Sequence, residues 1–370
     1  MERPGVDVIR ALAAFRTEGT AVSCYLGLDP SEVPNARVLG SHVTSLVDRA
    51  RRAGATAEDA EHVERTLTTE LDRNGLLGLA LFVGDGGAVS RLVGLADPVD
   101  ETVYVGRAFV LTPLLEELER RRDVVLAAVG RDRGSVWLVR DGRAGELEEL
   151  SRDGQSQHDQ GGWSQARYAR ARDKEALDHM REVATAVADA IPAGSERLLA
   201  IACLQEQRSA FEELLAAPAR AALAGWIDFE AHADAADLLP TVARLVDEHL
   251  ARGQNALLEQ WREERGQGSG RATWTWEETL AAAADGSVDA LLLLDGDAEA
   301  FECPRCGRGY VEAGACVLDG SALEPAAGGA RGLAARATIL HGGTVHTVAA
   351  DVGGAEVGAL LRYPRPERAG

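Results

Sequence analysis

Residues 158–174 read His-Asp-Gln-Gly-Gly-Trp-Ser-Gln-Ala-Arg-Tyr-Ala-Arg-Ala-Arg-Asp-Lys. The adjacent Gly161 and Gly162 allow backbone conformations that residues with a Cβ avoid. Gln165 follows, and four cationic residues lie within residues 167–174. This pattern predicts a glycine loop that ends in a carboxamide and leads into a basic helix over residues 166–190, ended by Pro192. Such a loop suits the delivery of one polar group into a site lined by RNA.

The residues before this loop alternate between extended and helical patterns. The strand-like runs cover residues 21–28, 77–83, 89–95, 124–129, 135–140 and 145–150, and the helix-like stretches cover residues 36–53 and 57–74. A change from mixed elements to a series of short strands occurs near residue 122. These patterns predict an α/β domain over residues 1–121 and the start of a second domain at residue 122.

The residues after the basic helix continue the α/β pattern. A buried strand is predicted at 198–203, a long helix after Pro240, and a linker or tight loop at Gly266–Gly270. The last elements are predicted as helices at 277–284 and 328–340 and strands at 288–294 and 344–349. We therefore expect three successive α/β domains. The middle domain would span residues 122–268, and a small α/β sandwich would span residues 269–370.

Two short cysteine motifs interrupt the last domain. Cys303-Pro-Arg-Cys306-Gly has the spacing of a metal-binding knuckle, and Cys316-Val-Leu-Asp319-Gly repeats it with a carboxylate in the last position. Three thiolates and a carboxylate can complete a tetrahedral shell, which predicts a structural zinc ion. The alternatives for the fourth ligand are His341, His346 or water, and the alternative for the whole pattern is an unligated Cys-x-x-Cys that is redox-active or inert.

The composition limits the class of protein. The net charge of −20 argues against a general nucleic-acid coat protein, so any RNA contact must come from local patches. Lys174 is the only lysine among 39 basic residues, so arginine content by itself says nothing about phosphate binding. Cys24 and Cys203 lie in apolar runs and are predicted to be buried. The absence of a signal-like or membrane-spanning run predicts a cytoplasmic protein.

The segment Gly161-Gly162-Trp163-Ser164-Gln165 resembles the loop of the bacterial branch of the archaeo-eukaryotic peptide chain release factor family. Two residues separate the glycines from the glutamine, as in the Gly-x-x-Gln form of ribosome quality-control members. The order of three α/β domains and a zinc insertion in the third also resemble this family. The resemblance implies an RNase H-like middle domain. It does not extend to stop-codon reading, because the chain has no Asn-Ile-Lys-Ser motif.

The resemblance also implies roles for individual residues. Gln165, with Gly161 and Gly162, is the candidate catalytic group for the ester of peptidyl-tRNA. The candidate RNA-binding residues are Trp163 and a cationic set at helical spacing, which consists of Arg167, Arg170, Lys174 and Arg181. The alternative interpretations are an ordinary glycine-rich surface loop and an ordinary solvated helix face.

The function that this resemblance implies is codon-independent release of peptidyl-tRNA on stalled ribosomes. The expected partners are the ribosomal A site, rRNA, peptidyl-tRNA and an elongation-factor-like GTPase. One alternative is a non-catalytic hibernation factor that occupies the vacant A site and the peptidyl-transferase centre. A second alternative is a zinc-containing enzyme that acts on free RNA. Whether the chain is an enzyme therefore stays open at this level.

Overall fold

A computed structural model describes residues 5–69, 75–120, 122–130, 133–151, 165–228, 235–348 and 354–365, with backbone alone over 165–173. Its internal contacts define two compact units, residues 1–120 with 256–370 and residues 121–255, and each unit is described by itself. The first and last parts of the chain share one unit, so this division does not test the predicted boundaries after residues 121 and 268. Those boundaries stay a prediction.

The first sheet contains, within the described residues, four antiparallel strands in the order β3-β2-β1-β4. They are β1 (Arg16–Gly27), β2 (Gly78–Gly84), β3 (Val89–Leu95) and β4 (Thr102–Ala108), and the helices around them are α1 (Val6–Ala14), α2 (Ala36–Arg52), α3 (Ala57–Thr69) and α4 (Thr112–Arg120). The elements predicted in this region are present, with β1 starting five residues before its predicted start and the end of the predicted helix at 57–74 lying outside the described residues. No prediction was made for α1, β4 and α4.

Alternation along β1 divides the core around this sheet. Cys24 and Leu26 pack with apolar side chains of α2 and α3 on one face. Ala21 and Tyr25 pack on the other face with a second cluster, to which α1 contributes Ile9. The prediction that Cys24 is buried is confirmed.

The second unit is built on a sheet with the order β7-β6-β5-β8-β9, counted over the described residues. Its strands are β5 (Val124–Val129), β6 (Arg133–Arg140), β7 (Arg143–Ser151), β8 (Leu198–Cys203) and β9 (Leu223–Asp228). β5, β6 and β7 form an antiparallel meander, and β8 and β9 extend it in parallel from β5. The buried Cys203 ends β8, as predicted.

Helices cover both faces of this five-stranded sheet. They are α5 (Gln165–Ala190), α6 (Arg208–Leu214), α7 (Ala217–Ala221) and α8 (Ala235–Gln267). Side chains of α5, α6 and α7 share one core cluster, and residues from the first half of α8 share the other. The prediction that α8 starts after Pro240 is wrong, because the helix begins at Ala235. A proline there removes only one main-chain hydrogen bond, and burial of Leu238 and Val242 on the sheet offsets that loss.

The last part of the chain contains one four-stranded and one three-stranded sheet among its described residues, with the orders β10-β16-β11-β15 and β13-β12-β14. The strands are β10 (Ala272–Thr273), β11 (Val288–Leu293), β12 (Phe301–Glu302), β13 (Gly309–Tyr310), β14 (Glu324–Pro325), β15 (Thr344–Thr347) and β16 (Val357–Leu361). The helices are α9 (Trp276–Ala284) and α10 (Gly329–Leu340).

The larger of these two sheets is covered on both faces. Side chains of α9 and α10 pack on one face, and Leu258 and Trp261 from the end of α8 pack on the other. α8 ends at Gln267, and Gly268 then takes a φ of +59°, which residues other than glycine rarely adopt. The predicted tight loop therefore starts at Gly268, two residues after its first glycine, Gly266. Among the described residues, no helix combines the length and apolarity needed to cross a membrane.

Candidate metal centre and the helix after the glycine loop

The two cysteine motifs fold into loops with the same backbone hydrogen bonds. In the first loop, the Cys303 N–H donates to the Arg308 carbonyl at 2.9 Å and the Gly307 N–H donates to the Cys303 carbonyl at 3.0 Å. The corresponding bonds from Cys316 and Gly320 in the second loop measure 2.8 Å and 2.9 Å. Both glycines have positive φ, 76° and 72°, where a Cβ would strain the turn. The repeated spacing in the sequence therefore reflects a repeated structure.

The two loops bring four ligand atoms together. The sulfur atoms of Cys303, Cys306 and Cys316 and a carboxylate oxygen of Asp319 all lie within 4.8 Å of one another. The Cys306 and Cys316 sulfurs are 3.6 Å apart, and the Asp319 oxygens lie 3.6 Å and 3.7 Å from the Cys303 sulfur. Two sulfurs bound to one tetrahedral zinc at ~2.3 Å lie about 3.8 Å apart. These separations fit one tetrahedral ion and are too long for a disulfide.

The two histidines that were alternatives for the fourth ligand do not belong to this group of atoms. His341 follows α10 and lies beside Gly286, where an added Cβ would meet its ring at 3.0 Å. His346 is on β15, and its Nε2 atom is 3.1 Å from the Thr344 hydroxyl. Among the described residues, Asp319 is therefore the fourth candidate ligand.

Hydrogen bonds around the centre favour the charged forms that bind a cation. The Tyr310 hydroxyl donates to the Cys316 sulfur at 3.4 Å and lowers the pKa of Cys316 to about 7. The Ser321 N–H, which donates to Asp319 at 2.9 Å, lowers the pKa of that carboxyl group. Desolvation raises the pKa of Cys306 to about 11. A bound cation would offset this effect, because its charge stabilises a coordinating thiolate.

The two cysteine loops are attached to the first sheet by two ion pairs. Glu302 in β12 pairs with Arg16 of β1, and the same guanidinium donates to the Cys303 carbonyl at 2.7 Å. Arg107 of β4 binds Glu324 of β14 through two hydrogen bonds of 2.8 Å and 3.0 Å. These contacts join residues that are more than two hundred positions apart in sequence, so spacing could not reveal them.

The predicted catalytic loop is only partly within the described structure. Gly161, Gly162 and Trp163 lie outside the described residues, and so does Ser164. Gln165 is the first residue of α5. The first N–H groups of a helix have no intrahelical acceptor and carry a partial positive charge. The backbone at Gln165 therefore has hydrogen-bond donors of the kind that stabilise an anion.

The four cationic positions of α5 lie on one side of the helix, at 100° per residue. Lys174 and Arg181 are exposed, and Arg181 donates to Asp178 at 2.7 Å. The opposite side of the helix carries Val183 and Val187, which are fully buried. The side chains of Arg167 and Arg170 lie outside the described residues. The described pair fits a solvated face, which can bind phosphates or simply water.

A family model described as Actinobacteria/chloroflexi VLRF1 release factor matches residues 122–265. The match includes the five-stranded sheet of the second unit and α5, which begins at Gln165. Over residues 122–265 the chain belongs to the archaeo-eukaryotic peptide chain release factor family. The family assignment made from the glycine loop is therefore confirmed.

Similar proteins include archaeal members of this release factor family. The peptide chain release factor subunit 1 of Thermococcus kodakarensis is 25% identical over 288 residues, which are 72% of this chain and 68% of that protein. The Pyrococcus abyssi protein of the same name is 24% identical over 325 residues, 81% of this chain and 77% of its own length. Among solved structures, S. cerevisiae Dom34, a translation termination-like factor, has a TM-score of 0.45 and 11% identity over 78% of this chain and 82% of that chain.

Proposed function

We propose that this release factor family member enters the ribosomal A site and promotes codon-independent hydrolysis of peptidyl-tRNA on stalled ribosomes. The observation that carries the proposal is the position of Gln165. It begins α5 three positions after Gly162, inside the stretch that matches the VLRF1 release factor model. A long helix gives the loop a rigid base from which it can reach into a deep site.

The chemistry needs little from the protein beyond position. A water oxygen bonds to the ester carbonyl carbon, the bond to the tRNA 3′ oxygen breaks, and that oxygen takes up the proton from the water. The carboxamide of Gln165 can orient the water or donate to the developing oxyanion. Neither role requires a shifted pKa, which agrees with a loop that offers an amide as its polar group.

We also propose contacts with RNA and with a protein partner. The cationic side of α5 would contact the phosphates of tRNA or rRNA, and Trp163 would stack on a base. An elongation-factor-like GTPase would deliver the factor to the ribosome. An RNase H-like middle domain is supported by the antiparallel meander β5-β6-β7 and the parallel addition of β8 and β9.

We also propose that the four-ligand group holds a structural zinc ion. Cys303, Cys306, Cys316 and Asp319 supply the donor types that zinc accepts in tetrahedral sites. Four protein ligands leave no open position for a substrate, so the ion would stabilise the two loops rather than take part in hydrolysis.

Two other functions remain as alternatives. A non-catalytic hibernation factor is favoured by the C-terminal stretch at residues 357–363, which resembles such members. An enzyme that acts on free RNA would need no ribosome. Sedimentation with ribosomes before and after starvation separates an enzyme that acts on free RNA from the two ribosome-bound functions. Release of labelled peptide from stalled ribosomal complexes separates peptidyl-tRNA hydrolysis from hibernation.

We expect the double variant Arg167→Glu with Arg170→Glu to bind ribosomes more weakly and with a flatter dependence on salt. Each lost phosphate contact reduces the slope of log affinity against log salt by roughly 0.7–0.9. The measurement is ribosome binding between 50 and 200 mM salt, read by sedimentation. Thermal stability should hardly change, because exposed charges contribute little to it.

A matched control reverses two exposed arginines of α8, Arg244 and Arg262, to glutamate. This control changes the net charge by the same amount and should keep the salt dependence of the parent chain. Equal binding by both double variants would show that the basic side of α5 is an ordinary solvated surface.

A further inference from the structure

A small cavity lies between β4 of the first sheet and α10 of the last part of the chain. Its volume is about 70 Å³, and Gly106, Phe109, Gly332 and Arg336 are among the residues that line it. By this measure one water molecule needs roughly 10–15 Å³, so the space can hold a few waters or one small ion in their place. The cavity takes no part in the proposed hydrolysis, and none of the four candidate metal ligands lines it, although Glu302 and Pro304 on either side of Cys303 do.

Arg336 is the unusual residue of this cavity. It is only 9% exposed, and its Nε atom has no hydrogen-bond partner within the described part of the chain. Its nearest described acidic partner is Glu302, at 3.8 Å from Nη1. A buried donor without an acceptor destabilises the folded state, and more so when it is charged. The folded chain therefore carries a guanidinium whose hydrogen-bonding capacity is only partly used.

The charges around Arg336 also leave an excess of positive charge. Arg16 and Arg336 share the single carboxylate of Glu302, so two positive charges and one negative charge leave +1. Arg16 lies behind Glu302 and does not line the cavity; of the four charged residues that do, Arg107 and Glu324 pair with each other through two hydrogen bonds. Buried charges are normally paired, because an uncompensated one is strongly destabilising. Burial lowers the pKa of Arg336, which agrees with a missing counter-charge.

We propose that this cavity binds a small oxyanion group, a carboxylate or a phosphate, with Arg336 as its main ligand. The anion would accept a hydrogen bond from Nε and balance the extra positive charge. Phe109, Val110 and Leu333 form apolar parts of the wall, and apolar surroundings strengthen the attraction between opposite charges. Gly332 lines the cavity and has no side chain to fill it. A Cβ added at this position would meet only Val110, at 3.7 Å, so a side chain can be introduced there without a clash.

The test uses the full chain with sodium phosphate and, separately, sodium acetate as probes, at millimolar concentration and against sodium chloride of equal ionic strength. Titration calorimetry measures affinity, and the unfolding temperature measures linked stabilisation. We expect one or both oxyanions to bind the parent chain. Binding of phosphate alone or of acetate alone identifies the group that the cavity selects.

Two variants locate the binding. Arg336→Gln removes the charge and should weaken binding by about tenfold or more, the effect of losing a charge-assisted hydrogen bond. Gly332→Leu fills the cavity, keeps every charge and should abolish binding, whereas Gly332→Ala should keep it. The two Gly332 variants keep the proposal testable if Arg336→Gln does not fold. Absence of oxyanion binding to the parent chain, or equal binding by Gly332→Leu and Gly332→Ala, would overturn the proposal.

Discussion

Gln165→Ala is expected to lower single-turnover release of peptide from stalled ribosomes by about a hundredfold while leaving ribosome binding intact. Loss of one donor that acts in the transition state typically has this effect. Binding should persist, because the proposed phosphate contacts of α5 and the proposed stacking of Trp163 do not depend on the carboxamide. The measurement is the rate of release per bound factor, with ribosome occupancy determined in the same sample.

Gln155→Ala provides a matched control within the same segment. It removes an identical side chain ten positions earlier and should release peptide at the parent rate. Gly162→Ala should slow release if the loop backbone needs a positive φ at that position. If the parent chain binds ribosomes tightly yet releases no more peptide than Gln165→Ala, the catalytic proposal fails and the hibernation function takes its place.

Cys303→Ser should remove the bound metal and lower the unfolding temperature of the chain. Elemental analysis of the parent chain should find about one zinc per chain, as expected of a single tetrahedral site. The effect on stability should be large, because the free energy of metal binding becomes part of the free energy of folding. Each lost kcal/mol corresponds to about 2–4 °C for a unit of this size.

Three comparisons separate loss of metal from general damage to the loop. Arg305→Ala changes a neighbouring residue that is not a ligand and should keep the metal. A chelator should destabilise the parent chain and leave Cys303→Ser unchanged, since that variant has no ion to lose. Asp319→Cys should retain zinc, because a fourth thiolate suits it. A metal-free parent chain with unchanged thermal stability would show that the four side chains form no metal site.

Local patterns were sufficient for most secondary structure. The apolar run at Val124–Val129 was predicted with its observed limits, and α5 begins one residue before its predicted start. The elements without a prediction include the helices α1 and α4 and the edge strand β4. Every residue of β4 is only partly buried, so its sequence lacks the alternation that marks a strand with one buried face.

The candidate sites show the same division between local and distant information. Spacing alone indicated the four metal ligands, because each pair lies in one turn and the two turns are close in the chain. The choice of Asp319 over the histidines depended on which side chains meet in space. Tyr310 and Arg16 had no pattern that could connect them with the cysteines.

What the sequence by itself determined is the family, the strands and helices with strong periodicity, and the residues of the glycine loop and the metal loops. These depend on neighbours within a few turns of chain. Only the tertiary structure decided the grouping of residues 1–120 with 256–370, the pairing of Arg16 with Glu302, and the cavity around Arg336. Such features arise where surfaces from distant parts of the chain meet, and the free energy of burying them depends on packing that no local spacing encodes.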